Sequence, residues 1–223
     1  MKPPHGMAVI QRNPNAIYTA LVPNVRGAER AIECQLDEVN LVMSASETHN
    51  QTNMRINVSL STVFGCPMEG DVDEAVVFDL IGHFVDQGID SMTLCDTIGM
   101  AYPTQVHAIA KRAIENYPSI DVVMHFHNTR GMALANVMAS LDVGICWFDS
   151  SLGGIGGCPY APGASGDVCT EELVHMLDLM GYSSGVDIYK LLDLAKEIPA
   201  LIGHEVPSQL IKAGLRSQLH AMP

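Results

Sequence analysis

SMTLCDTIGMAYPTQVHAIAKRAIENYPSIDVVMHFH, residues Ser91 to His127, decides how this chain is read. It opens on a short apolar run, Ser91 to Asp96, passes through a Gly- and Pro-marked loop, and continues as a helix over Thr104 to Asn116. A second apolar run, Asp121 to His127, closes it. Two strand-like runs joined by a helical stretch of this length form a crossover between parallel neighbours. The same alternation extends in both directions. Further strands are expected at Ile17–Val22, Glu38–Ser44, Ile56–Phe64 and Gly144–Ser150. Helices are expected at Arg26–Leu36, Asp73–Gln87, Gly131–Leu141, Glu171–Met180, Ile188–Ile202 and Ser208–Leu215. Asp71 or Asp73 is placed to cap the second helix, and Thr170 the fifth. Strands apolar on both faces, alternating with helices, predict an α/β fold on a parallel sheet, either open and doubly wound or closed into a barrel.

One junction breaks the rhythm. Between the Glu38 and Ile56 strands lies only a short polar link containing ETHNQTNMR, Glu47 to Arg55, too little for a helical crossover. Either these two strands are antiparallel or a helix is missing.

Composition narrows the function. The 223 residues, 48% hydrophobic and 17% charged, suffice for a single domain spanning 1–223 with a buried core. With 25 acidic against 12 basic residues and a net charge of −13, no basic stripe exists for a nucleic-acid backbone. No apolar run is long enough to span a membrane, and the first fifteen residues lack a signal-peptide core. Cys34, Cys66, Cys95, Cys146, Cys158 and Cys169 are scattered without paired zinc spacing. A reducing, cytoplasmic setting is expected.

Polar residues gather where strands end: Asn24, Ser44 to His49, Asp96, His125, His127 and Asp149. In parallel α/β folds that edge holds the ligand. His125 and His127 stand two apart on a strand, so both imidazoles face the same side and Phe126 faces the other. Such a pair suits a divalent metal, or else two hydrogen-bonded strand histidines. Asp96 and Asp149 are candidate oxygen ligands, outer-sphere acceptors or plain loop caps. After the last strand comes GGIGGCPYAPGASGD, Gly153 to Asp167, with six glycines. This glycine-rich loop, spanning 152–167, would pass over the same mouth and could close on a substrate, carrying Cys158 inward as an acid or base. A passive loop thiol is the alternative. Asp167 is either a helix cap or a metal ligand.

The segments HFHNTRGMALAN (His125–Asn136), FDSSLGGIGGCPYAPGASGD (Phe148–Asp167) and TEELVHMLDLMG (Thr170–Gly181) resemble those of the 3-hydroxy-3-methylglutaryl-CoA lyases. LVPNVRGAERA, SASETHNQTN, VFGCPMEG and LCDTIGMAYP extend the likeness through almost the whole chain. The HxH segment is shared with a wider superfamily of metal-dependent lyases and synthases, whereas the GGCPYAPGASG loop is much narrower and points to the lyases. The resemblance implies a (β/α)8 TIM barrel that splits 3-hydroxy-3-methylglutaryl-CoA into acetyl-CoA and acetoacetate with Mg²⁺ or Mn²⁺, Zn²⁺ being a further option. Carried across by motif, His125 and His127 match metal ligands and Asp96 an active-site aspartate. Cys158 matches the catalytic cysteine, and Glu171, at an acidic position beyond the loop, is a further catalytic candidate. It also implies an acyl-CoA as partner. A homodimer or higher homo-oligomer is expected, with Ile188–Gly203 and Ser208–Leu215 offering either a dimer surface or, equally, helices packed on the core.

Three departures from the family pattern bear on these expectations. Asp167 stands where the family has a metal-binding asparagine. Nothing before Ile17 resembles the family's first strand, with its arginine and aspartate, and the second strand is missing too. Between Ser46 and Asn57 one crossover helix is missing. The expected fold is therefore an incomplete barrel of about six strands. A condensing enzyme of the same superfamily and an inactive remnant serving as a binding or oligomerisation module are the alternative functions.

Overall fold

The computed structural model describes residues 10–22, 24–41, 55–157 and 163–219. Within them a six-stranded parallel sheet runs in sequential order: β1 (Thr19–Val22), β2 (Glu38–Leu41), β3 (Arg55–Leu60), β4 (Ser91–Asp96), β5 (Asp121–Phe126) and β6 (Trp147–Asp149). Its helices are α1 (Val25–Glu33), α2 (Glu74–Asp86), α3 (Pro103–Asn116), α4 (Ala133–Leu141), α5 (Thr170–Leu179), α6 (Ile188–Ile202) and α7 (Gln209–Ala213). Among the described residues β1 and β6 are not paired to each other, so the sheet is a curled half-barrel with flanking helices, a partial (β/α)8 fold.

The expected βαβ unit is β4–α3–β5, in register from Ser91↔Asp121 to Asp96↔Phe126. Pro103 opens α3 at a position whose missing N–H costs nothing. Asp73, rather than Asp71, caps α2 by accepting from the Ala75 amide at 2.8 Å. The Thr170 cap is corrected. Cys169 occupies the N-cap of α5 without a side-chain bond, and Thr170 lies inside the helix, its hydroxyl 2.9 Å from that of Ser150.

The antiparallel option for the second and third strands is also overturned. β2 and β3 pair in parallel, Glu38 opposite Arg55 and Leu41 opposite Val58. The link between them, 42–54, lies outside the described residues, and with it the Ser44–His49 cluster. The strands are shorter than the apolar runs suggested. Beyond β3 the chain turns at Thr62 and Gly65, where φ is positive, and Val63 and Phe64 bury themselves from a loop. Gly144, also at positive φ, ends the turn after α4, so β6 begins only at Trp147.

The two faces of the sheet differ in kind. The helix-facing side carries Val39, Leu41, Ile56, Val58, Met92, Leu94, Val122, Met124 and Phe126 in one continuous apolar core with α1 to α4. The inward side is polar, which corrects the reading of strands apolar on both faces. Asn57 bonds Ser91 at 2.8 Å and receives a bond from Thr93 at 3.0 Å, while Ser59 bonds Asn40 at 2.9 Å. These small, mutually satisfied side chains line a lumen where barrels more commonly pack bulky branched residues. At its base Arg55 reaches Asp121 at 2.6 Å and Glu38 at 3.8 Å.

Fold stability rests on the helix-facing core. Phe126, fully buried and 6.1 Å from the ring of Phe64, sits directly between the two histidines in sequence. Phe126→Ala is expected to cost about 3–5 kcal/mol, lowering the melting temperature by about 10 °C or more in a thermal unfolding scan. A loss under 1 kcal/mol would contradict this account of the core.

Candidate metal centre and glycine loop

β5 delivers the two histidines. Its alternation puts Val123 and His125 on the lumen side and Met124 and Phe126 in the core, and the chain stays extended one residue further to His127. The two rings lie 5.1 Å apart between centroids at a 62° interplanar angle. Phe126 faces the helices, as the strand period requires.

The third member arrives from the glycine loop. The returning stem runs antiparallel to the end of β5, where the Asn128 amide donates to Gly166 O at 2.8 Å and the Val168 amide to Phe126 O at 2.9 Å. His127 and Asp167 thus face each other in a β-bridge. Asp167 Oδ1 lies 3.2 Å from His127 Nε2 and 3.6 Å from His125 Nε2. Of the two roles open to Asp167, the cap belongs to Cys169 and the carboxyl belongs to the cluster.

The same stem is fastened to the outgoing one. Ser151 N donates to Val168 O at 3.1 Å and Thr170 N to Ser151 O at 2.9 Å. The contact between stems is close enough to demand glycine. A Cβ on Gly156 would lie 2.5 Å from Asp167 Oδ2, and one on Gly154 2.5 Å from Cys169 Sγ. Cys158 and its neighbours to Pro162 lie outside the described residues, so the predicted role of that thiol has no geometry here.

Electrostatics separate the two histidines. Burial, with the neighbouring His125 adding to it, pushes His127 down to about 4, which leaves its imidazole neutral at pH 7. Burial opposes protonation of His125 as well. There the opposing carboxylates prevail: Asp149, 3.6 Å from Nδ1, together with Asp167 and Asp96 holds it above its ordinary value. Burial raises Asp167, only partly offset by His125 and a bond from Ser151.

These residues fit a divalent cation. The donor atoms of His125, His127 and Asp167 lie within 4.8 Å of one another, and Asp167 Oδ1 is buried with no hydrogen-bond partner. A lone buried carboxyl oxygen aimed between two imidazoles is costly unless something cationic satisfies it. Nitrogen and oxygen donors of this kind accept Mg²⁺, Mn²⁺ or Zn²⁺.

Asp96 and Glu171 lie outside that cluster. Asp96 ends β4, 1% exposed, with Oδ1 taking the Met100 amide at 2.7 Å and Oδ2 enclosed and unpartnered. Burial lifts it to about 6 against the pull of the surrounding loop amides and Arg130. Glu171 is fully buried in the first turn of α5 and accepts from the Gly153 amide at 3.1 Å. Asp149, for which the sequence left open the roles of ligand, outer-sphere acceptor and loop cap, lies 3.6 Å from His125 Nδ1, the place of an outer-sphere acceptor. Such outer-sphere carboxylates orient ligating imidazoles.

The family model described as HMGL-like matches residues 57–198, the span from β3 to α6. A hydroxymethylglutaryl-CoA lyase of Bacillus subtilis is 42% identical over 90% of this chain and 75% of its own length. The chain belongs to the HMG-CoA lyase family. An (R)-citramalyl-CoA lyase of Chloroflexus aurantiacus is 36% identical over 94% of the chain and 74% of its own. The solved HMG-CoA lyase of Acinetobacter baumannii, in complex with coenzyme A and 3-methylmalate, superposes with a TM-score of 0.87 at 42% identity. That match covers 97% of this chain and 78% of that one. Within the HMG-CoA lyase family, then, this chain sets its two histidines and Asp167 at the mouth of the half-barrel, under the stems of the glycine loop. No helix among the described residues is long and apolar enough to cross a membrane.

Proposed function

We propose that this chain cleaves 3-hydroxy-3-methylglutaryl-CoA, or a close 3-hydroxyacyl-CoA analogue, by a retro-aldol reaction that releases acetyl-CoA and acetoacetate. The observation that carries the reading is Asp167 Oδ1, buried and unpartnered between His125 and His127 on the stem of the lyase-type loop. His125, His127 and Asp167 would hold Mg²⁺ or Mn²⁺, which when bound supplies Lewis-acid polarisation of substrate oxygens.

The chain's own residues handle orientation and protons. In the reaction the C3 hydroxyl loses its proton, the C2–C3 bond breaks toward the thioester, and the resulting enolate takes up one proton, so neither oxidant nor reductant is needed. Asp96 is suited to proton exchange at Oδ2, because a group titrating near 6 works close to the operating pH. Cys158 is assigned as proton donor to the enolate by its place in the loop. Asp149 holds His125 through Nδ1 with Nε2 turned to Asp167. The stems are tied to each other and to β5, and a loop closing over the mouth would exclude water there. A reducing, cytoplasmic location is supported by Cys34, Cys66, Cys95, Cys146 and Cys169 all being free thiols.

The test is turnover of 3-hydroxy-3-methylglutaryl-CoA and citramalyl-CoA by the purified chain, with and without Mn²⁺. Cleavage of the first substrate that disappears on chelation and returns with Mn²⁺ is expected. Cys158→Ala should slow it by about 10²-fold, the scale of one general acid. Preference for citramalyl-CoA would move the acyl group and keep the reaction. Metal-independent turnover, or none with metal bound, would overturn the reading.

A further inference from the structure

We infer that Glu171 acts as a positioning residue for the glycine loop, through the Gly153 amide, and takes no part in proton transfer to the substrate. This rests on the lyase reading above, and it assigns to Glu171 a role that resemblance alone leaves open.

Glu171 is 0% exposed. It is the only carboxyl of α5 that is fully buried: Glu172 and Asp178 on the same helix both retain solvent contact. Its Oε2 accepts from the Gly153 amide at 3.1 Å, across 18 residues of sequence, and so joins the start of α5 to the root of the outgoing stem. Its second oxygen, Oε1, is enclosed with no hydrogen-bond partner. It does not stand with the His125, His127 and Asp167 donors. Asp96 ends the strand paired with β5 and is among the carboxylates acting on His125, whereas Glu171 acts on neither His125 nor Asp167 and its carboxyl is tied to the root of the loop stem.

The place it holds is the root of the outgoing stem. Leu152–Gly154 form a single 3₁₀ turn in which Gly153 and Gly154 adopt positive φ, 71° and 70°. A turn of two left-handed glycines has little local preference of its own, since glycine visits many backbone states. Something outside it must select the observed one. Glu171 does so from behind, while Ser151 is bonded to Val168 and Thr170 on either side. Three residues beyond Gly153, Gly156 packs against the Asp167 carboxyl. The Glu171–Gly153 bond therefore fixes the stem that bounds the third metal-ligand candidate and launches the segment carrying Cys158. The buried carboxyl is tolerated because it sits in the first helical turn, where the helix dipole favours an acidic group.

Glu171→Gln and Glu171→Ala separate positioning from proton transfer. Gln keeps an acceptor oxygen of the same reach for the Gly153 amide and abolishes acid–base capacity, whereas Ala removes both. Three quantities are read on the full chain: amide hydrogen exchange of the peptide covering 151–157, Mn²⁺ binding by EPR, and kcat and KM for 3-hydroxy-3-methylglutaryl-CoA. In Glu171→Ala, exchange at Gly153 should accelerate by about tenfold, the scale of one lost buried hydrogen bond. Its kcat should fall by about 10²-fold, the scale of a misplaced loop, with Mn²⁺ still bound. Glu171→Gln should keep the exchange protection and stay within about fivefold of wild type in kcat, the scale of exchanging one acceptor oxygen for another of the same reach.

A Glu171→Gln protein as inactive as Glu171→Ala, with Gly153 still protected, would overturn positioning in favour of proton transfer. Unchanged exchange in Glu171→Ala would overturn it equally. A wild type that turns over no acyl-CoA, while exchange responds as described, would sink the lyase reading and leave the clasp standing as a structural fact.

Discussion

Replacing His125 and His127 together by alanine should give a folded chain that no longer retains a divalent cation and cleaves its acyl-CoA substrate by about 10³ to 10⁴-fold more slowly, the equivalent of several kcal/mol of charge stabilisation. The two positions project from the sheet edge into the lumen, not into the helix-facing core that Phe126 and Met124 build. Removing the rings therefore leaves the packing of β5 intact. It also leaves Asp167 Oδ1 enclosed with no imidazole beside it, and burial then drives that carboxyl toward its protonated form. One carboxyl, itself hard to ionise, does not hold a metal. Mn²⁺ EPR on the dialysed variant, with circular dichroism as the folding control, reads the first half of this outcome, and turnover reads the second. Stoichiometric Mn²⁺ in the double variant would mean that the ion sits elsewhere.

Asp149 makes a milder case of the same argument. Its contact with His125 Nδ1 orients a ring that the strand alone leaves free to rotate about its own side-chain bonds. The histidine pair was legible in the sequence because a period of two is a geometric fact about strands, and HFH at the end of an apolar run needs no tertiary information. Asp167 was only half legible. Its position just before a helix is also where caps occur, and what decides between cap and ligand is the antiparallel return of the stem along β5, a long-range pairing that local sequence does not encode.

Other features were hidden for similar reasons. The parallel pairing of β2 with β3 depends on the course of residues 42–54, so a short polar link looked incompatible with it. The polar lumen was written plainly in INVSLS, where Asn57 and Ser59 alternate with Ile56 and Val58, yet an apolar average over the run concealed the alternation. Only the inward hydrogen bonds, from Asn57 to Ser91 and from Thr93 to Asn57, show that this face is satisfied by itself. The Glu171–Gly153 bond spans a loop whose closure no propensity predicts. Strand and helix existence came from hydrophobic period, which is local; site assembly came from loop return, which is not.

The glycine content of the loop, at first sight consistent with a long mobile surface segment, has a tighter explanation, and Gly166→Ala tests it. Gly166 holds φ at 109°, where an L side chain is strained, and a Cβ there would overlap the carbonyl oxygen of Gly154 and crowd that of Gly156 at 3.1 Å. The two stems would have to part. The returning stem is held to β5 by Gly166 O and the Val168 amide, and Asp167 lies between those two bonds, so the separation displaces the third member of the metal cluster. Gly163→Ala is the control: φ is again positive, 75°, but nothing lies within 4 Å of the added carbon. The control should lose about 1–2 kcal/mol of stability from backbone strain and little else. Gly166→Ala should weaken Mn²⁺ binding by about 10²-fold, as loss of a ligand's geometry does, and take cleavage down by about 10³-fold once loop misplacement is added. If Gly166→Ala binds Mn²⁺ as tightly as Gly163→Ala, the stems are not coupled to the cluster, and the glycines serve mobility alone.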